Sequence, residues 1–156
     1  MPELSSNKRA RFDYEILKEY EAGIVLWGFE VKSVKGGRMN LAGAFVVLRE
    51  NEAWLLNASI SPYQEKNTPA DYNNARSRKL LLHKSELKEL IGKSAQRGLT
   101  IVPLSVYSKR GKIKISVAIA RHKKAKDKRE TIKKREARRE MDKAAKGDAG
   151  IRRIFE

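Results

Sequence analysis

Residues 12–26, FDYEILKEYEAGIVL, carry the pattern on which the fold turns. Apolar side chains fall on Phe12, Tyr14, Ile16, Tyr20, Ala22, Ile24 and Leu26, while the acids Asp13, Glu15, Glu19 and Glu21 take alternate positions. A period of two belongs to a strand with one face buried. Gly23 interrupts the run, and a glycine inside such a pattern marks a bulge or the bend of a barrel corner. The stretch therefore predicts one long, curved strand.

On its C-terminal side, GFEVKSVKGG (28–37) predicts a short helix near 30–36, stopped by two glycines. AFVVLR (44–49) and AWLLNASI (53–60) are apolar runs separated by Glu50, Asn51 and Glu52, which is hairpin spacing. Residues 61–77, with Pro62, Pro69 and several asparagines, read as a loop, and RKLLLH (78–83) as a buried strand. In SELKELIGKSAQRG (85–98), Ser85 can cap a helix, Leu87, Leu90 and Ile91 keep helical spacing, and Gly98 follows the end. That is the clear helix, about 85–97. LTIVPLSVY (99–107) and IKISVAIA (113–120) flank a turn at Gly111 as a second hairpin, and Pro103 predicts an edge or a bulge.

Six short antiparallel strands with one clear helix make a mainly β chain. Closure into an OB-like antiparallel barrel removes the edges that an open sheet would expose. The barrel is expected over residues 1–120 and a basic tail over 121–156. Such barrels often bind oligonucleotides, but the architecture alone does not fix a function.

Charge narrows the choice. The 156 residues carry 35 Lys and Arg against 19 Asp and Glu, a net charge of +16, so the expected partner is a polyanion. Residues 120–146, ARHKKAKDKRETIKKREARREMDKAAK, hold thirteen basic and five acidic residues, a net +8 and half of the total. On a helix Ala137, Met141, Ala144 and Ala145 form only a thin stripe with Ile132 opposite, too little for a core or a membrane surface. Pairs such as Glu130 with Lys134 each add about 0.2–0.5 kcal/mol, which does not hold a lone helix in water. The tail is expected to be disordered when free and helical along an RNA surface. A solvated tail that aids solubility fits the same composition.

Cysteine is absent, which removes thiolate chemistry and fits a reducing compartment; His83 and His122 alone are too few for a zinc site. The acids are scattered rather than convergent, so no catalysis, metal or cofactor is expected. The first twenty residues lack an apolar signal-peptide core and no run reaches membrane-spanning length. A cytoplasmic protein without membrane contact is the expectation.

In order along the chain, YEAGIVLWGFEVKSVK (20–35), AWLLNASISPY (53–63), RKLLLH (78–83), GLTIVPLSVY (98–107) and DKR (127–129) ahead of a basic tail resemble the SsrA-binding protein (SmpB) family, from about Asn7 to Met141. The resemblance implies an OB-fold barrel that binds the tRNA-like domain of transfer-messenger RNA. It implies delivery, with elongation factor Tu and GTP, to ribosomes stalled on messages lacking a stop codon, the protein acting as a monomer. The tail would occupy the decoding centre and the empty mRNA channel.

Carried over by position, the resemblance implies RNA contacts at Asn7, Tyr14, Glu21 and Leu81, with Lys8, Arg9, Arg11, Lys32, Lys35, Arg78 and Lys79 as phosphate partners that position RNA without reading it. By pattern alone Tyr14 and Leu81 read more readily as core, and Glu21 as a solvent-facing strand residue. In the tail, Asp127, Lys128 and Arg129 map to the decoding-centre triplet, with Lys123, Lys124, Lys126, Lys133, Lys134 and Arg135 as further ribosome contacts. The chain departs from the family pattern at His122, where glycine is usual, at Lys126, where a ring is common, and at Asn74, where proline is usual. On composition alone a small basic structural ribosomal protein is the rival reading.

Overall fold

A computed structural model describes residues 3–64, 66, 68–124, 129 and 132–141, in two compact units, Met1–His122 and Lys123–Glu156. In chain order the elements are β1 (Glu3–Ser6), α1 (Ala10–Asp13), β2 (Tyr14–Ile24), α2 (Gly28–Lys35), β3 (Met39–Asn40), β4 (Phe45–Arg49), β5 (Glu52–Leu56), β6 (Ser59–Ile60), β7 (Arg78–Leu81), α3 (Lys84–Ser94), β8 (Leu99–Lys109) and β9 (Lys112–His122). The main sheet runs β1-β8-β4-β5-β7-β2-β9, and β9 pairs back onto β8. Six antiparallel strands thus form a ring, with β1 added outside it on β8. These six are the strands expected from the sequence. The ring is only partly closed: β4 meets β8 at Val46 and Ile101 alone, and β2 meets β7 through Gly23–Leu81 and Ile24–Leu80. β3 and β6 form a separate two-residue ladder.

Inside the ring Tyr20, Ala22, Leu55, Ile115, Val117 and Ile119 pack together, joined by Val34 of α2 and Leu90 of α3. A second, smaller cluster lies on the other side of the sheet, where Ala10 of α1 covers Val102, Leu104, Ala118 and Ala120, with Tyr14 and Ile16 packed against it.

The even-numbered apolar stripe of β2 therefore does not line one face. The pairing of β2 with β9 slips between Ile16 and Lys18, which leaves Leu17 as an extra, exposed residue. One inserted residue exchanges the two faces of a strand. Tyr14 and Ile16 lie opposite His122 and Ala120 on the outer face, and Tyr20 and Ala22 lie opposite Val117 and Ile115 on the inner one. The bulge thus falls six residues before Gly23. β8 has a matching slip between Pro103 and Ser105, as the proline predicts.

Local chemistry explains the remaining differences. Phe12 and Asp13 belong to α1 rather than to the strand. The first hairpin turns on Glu50 and Asn51 alone, both with positive φ, and Glu52 already pairs with Arg49. Arg110 and Gly111 make the same kind of left-handed two-residue turn between β8 and β9, the hand that matches strand twist. Helix α3 begins at Lys84, so His83 and not Ser85 is its N-cap; the Glu86 carboxylate accepts the His83 N–H at 3.4 Å. Gly98, with φ of +84°, turns the chain into β8 four residues beyond the helix end. In the second unit residues 132–141 are helical and every described side chain there is exposed. Lys126, Asp127 and Lys128 lie outside the described residues.

Candidate nucleic-acid interface

The bulge in β2 gathers the candidate contacts onto one surface. Tyr14, Glu19, Glu21 and Gly23 pair with His122, Ala118, Ser116 and Lys114, alternate residues of β9, so all four share the outer face. Leu81 lies directly opposite Gly23 across the β2–β7 seam, one diagonal step from Glu21 on the same side. Seven residues apart, Tyr14 and Glu21 would point to opposite sides of a regular strand; the extra residue Leu17, unmatched in the ladder, brings them to the same side.

At one end of this face, the Asn7 side-chain amide donates to the Pro103 carbonyl at 3.0 Å, and its backbone N–H donates to Leu104 at 2.8 Å. Tyr14 is half-buried and meets the His122 ring edge-on, centroids 5.1 Å apart. Asn7, Arg9, Asp13, Tyr14, Phe45 and Thr100 line a cleft of about 300 Å³. Lys8 and Arg9 are exposed, and the Arg9 guanidinium lies 5.1 Å over the Phe12 ring. Arg11 pairs with Glu19 at 2.8 Å.

At the other end, Glu21 accepts hydrogen bonds from the Tyr107 hydroxyl and, at 3.1 Å, from Lys109 Nζ. These two hydrogen bonds, the tyrosine's first, hold the Glu21 carboxyl below the usual carboxylate range. It is an ionised, acceptor-only group with lone pairs to spare for a base amino group or a 2′-hydroxyl. Leu81 is 54% exposed, which is unusual for a leucine in a strand of the barrel. A Cβ on Gly23 would come within 3.4 Å of Leu81 Cβ, so the glycine leaves the leucine room against the strand. Gly23, Leu26, Val31, Leu81, Ile113 and Lys114 line an apolar cleft of about 350 Å³ beside it.

Of the surface cations, Lys32 on α2 is exposed, and Lys79 pairs with Glu52 at 3.2 Å. Arg78 is a correction. It is wholly buried, and its guanidinium donates to Glu30 at 2.6 Å and to the carbonyls of Ala58 at 2.7 Å and Asn74 at 2.9 Å. A side chain whose donors are spent inside the fold has none to offer a phosphate. In the second unit, Arg129, Lys133, Lys134 and Arg135 are exposed, as is Lys124, while Lys123 is half-buried.

Glu30 was not singled out by its sequence context, although it organises the far side of the barrel. Fully buried on α2, it accepts from Trp27 N–H at 2.9 Å, from Arg76, from Arg78 and from the Tyr72 hydroxyl at 2.8 Å. Burial alone would raise its pKa, but these hydrogen bonds outweigh that and hold it below the usual range. The signal was faint: a glutamate at the third helical position, and two arginines, Arg76 and Arg78, at the end of a polar loop.

Among the described residues no cluster of three or more His, Cys, Asp or Glu could hold a metal, and no helix is long and apolar enough to cross a membrane. The partly closed ring, with hydrogen-bonding, aromatic and apolar groups gathered on one outer face of a strongly basic chain, defines a nucleic-acid-binding β-barrel. The SmpB protein family matches residues 4–147. SsrA-binding proteins of Trichodesmium erythraeum and Thermosynechococcus vestitus are 52% and 50% identical, each over 92% of this chain and over 92% and 94% of their own lengths. A solved structure described as "tmRNA-SmpB: a journey to the center of the bacterial ribosome" has a chain 49% identical, with a TM-score of 0.64, over 77% of this chain and 84% of that one. The chain belongs to the SmpB family.

Proposed function

We propose that this chain binds transfer-messenger RNA and brings it to stalled ribosomes for trans-translation, acting by binding rather than by catalysis. The observation that carries this reading is the single outer face on which the β2 bulge brings Tyr14 together with Glu21 and, across the seam, Leu81. Half-identical relatives named for SsrA binding and a similar chain in a tmRNA–SmpB ribosome structure support it. On this reading Asn7, Tyr14, Glu21 and Leu81 touch the tRNA-like domain, and Lys8, Arg9, Arg11, Lys32 and Lys79 serve its phosphates. The basic tail, including Arg129, Lys133, Lys134 and Arg135, enters the decoding centre and mRNA channel and is helical there. Elongation factor Tu with GTP carries the complex, in the cytoplasm.

The test is binding of the purified chain to the isolated tRNA-like domain and to an ordinary elongator tRNA, at one stated salt concentration. Preference for the tRNA-like domain by about tenfold or more, equal to about 1.4 kcal/mol, is expected. Equal affinity for both, together with stoichiometric copurification with one ribosomal subunit, would establish the structural ribosomal protein instead.

A further inference from the structure

Helix α2 separates the Leu81 cleft from a second surface that, Lys32 apart, the outer-face contacts do not use. On it stand Trp27 and Tyr63, 46% and 44% exposed, with Phe29 between them: Trp27 and Phe29 rings lie 5.6 Å apart, and Phe29 shares a cleft of about 300 Å³ with Tyr63, Gly28 and Lys32. Two large exposed rings, each close to Phe29, are costly to leave in water unless something covers them. Three cations, Lys32, Lys35 and Arg38, belong to the same helix or follow it directly. The Arg38 guanidinium lies 5.5 Å over the Tyr63 ring and donates to the Pro62 carbonyl at 3.0 Å.

The charge balance of this surface is positive. Some cations elsewhere on the barrel meet carboxylates: Lys18 and Lys93 with Glu89, Lys109 with Glu21, Lys79 with Glu52, Arg11 with Glu19. Among the described residues, Lys32, Lys35 and Arg38 meet none, as is true also of the exposed Lys8, Lys84 and Lys112, and only here do such cations adjoin a cluster of exposed rings. Rings with unneutralised cations around them fit a ligand that offers flat faces and negative charge together.

The platform is also rigidly held. Arg76 lies 4.1 Å from the Trp27 ring centroid while donating to the buried Glu30 carboxylate, and Tyr72, which packs edge-on to Phe29 at 4.9 Å, donates to the same carboxylate. Glu30 thus fixes both Trp27 and Phe29 from beneath, so little side-chain freedom is lost when a ligand arrives.

We propose that Trp27, Phe29 and Tyr63, with Lys32, Lys35 and Arg38, form a second RNA site that stacks unpaired nucleotides and holds their phosphates. A duplex hides its base faces and leaves the rings nothing to stack on; an extruded or single-stranded segment exposes them. The inference goes beyond the outer-face contacts but rests on the chain being an RNA-binding protein.

The test compares binding of the full chain to a single-stranded oligouridine and to a duplex RNA of the same phosphate count, with the tRNA-like domain measured in parallel. The single strand is expected to bind more tightly and to quench the emission that Trp27→Ala removes. Tyr63→Ala is expected to weaken single-strand binding by roughly tenfold, within the range for loss of one stacking partner. Gly28→Leu is the variant least able to harm the fold, because a Cβ there meets nothing within 4 Å; its side chain fills the cleft and is expected to weaken binding similarly. Lys32→Ala with Lys35→Ala is expected to reduce the salt slope. Single-strand binding unchanged in both Tyr63→Ala and Gly28→Leu overturns the second site while leaving the outer-face reading intact if the tRNA-like domain still binds. A face that serves a protein partner would give that result. Failure of all three RNAs to bind overturns both.

Discussion

Glu30 Oε2 and Arg78 Nη2 sit 2.6 Å apart with both side chains wholly excluded from water. Two charges in that position are tolerable only because each is fully hydrogen-bonded: Glu30 by Trp27, Arg76 and Tyr72 as well, Arg78 by the Ala58 and Asn74 carbonyls. The pair ties α2 to β7 and pins residues 72–78 against the barrel. Removing one partner leaves the other charge buried and uncompensated, a loss of about 3–5 kcal/mol. Glu30→Ala and Arg78→Ala are each expected to lower unfolding stability by that order in urea denaturation. Arg78→Lys is expected to fall well short of rescue, because an ammonium cannot reproduce the guanidinium fork.

This network and a separate cluster around Glu89 set a pH dependence. Glu30 is held below the usual carboxylate range by its donors, and Glu89 is held down to about 2 by Lys18, Lys93 and Tyr20. A carboxyl whose folded pKa lies below its unfolded value, about 4.3 for glutamate, stabilises the fold fully above that unfolded value. The stabilisation is lost as pH falls toward the folded pKa. The urea midpoint is therefore expected to show no decline from these groups between pH 8 and pH 5 and to fall steadily below about 4. Glu89→Gln is expected to flatten the lower part of that fall. A midpoint that declines first between pH 7 and pH 5 would assign the acid sensitivity to other groups.

Glu21 permits a prediction whose sign separates two roles. If its carboxylate accepts hydrogen bonds from RNA, Glu21→Gln weakens binding to the tRNA-like domain. If it only neutralises Lys109, 3.1 Å away, the same change frees a cation and tightens binding. Weakening by about tenfold is expected, together with a similar loss in Leu81→Ala. Both side chains are exposed, so thermal stability is expected to move by no more than about 0.5 kcal/mol in either variant.

The sequence made the long elements plain because their signals are local. Period two in residues 12–26, the two hairpins and the Leu87–Leu90–Ile91 face of α3 each need only neighbouring residues to be read. What stayed hidden depends on distant partners. β1 exists because Glu3 and Ser6 find Tyr107 and Ser105, about a hundred positions away, and β3 and β6 are two residues each, held by one another. The Leu17 bulge was concealed by a stripe that continues in phase on both sides of it, with the faces exchanged. Arg78 looked like a surface cation because nothing nearby in sequence reveals Glu30, 48 positions earlier. Leu81 is the reverse case: a leucine in RKLLLH reads as core, yet its alternation with buried Leu80 puts it outside.

The end of β9 determines how the tail can be tested apart from the barrel. Ala120 is fully buried in the outer-face cluster, and His122 both pairs with Tyr14 and meets its ring. A chain cut at Ile119 would lose these contacts and confuse damage to the Tyr14 corner with loss of the tail. A chain ending at Lys124 retains all of β9. It is expected to keep the melting temperature of the intact barrel unit and to bind the tRNA-like domain within about threefold of the full chain, less than 1 kcal/mol. It is also expected to lose peptide tagging on stalled ribosomes, because it lacks the exposed cations of helix 132–141 that the proposed function assigns to the mRNA channel. Reconstituted translation of a message lacking a stop codon reads the second quantity, and filter binding reads the first. Loss of both in the chain ending at Lys124 would place RNA binding itself in the tail and overturn the division of labour between tail and barrel.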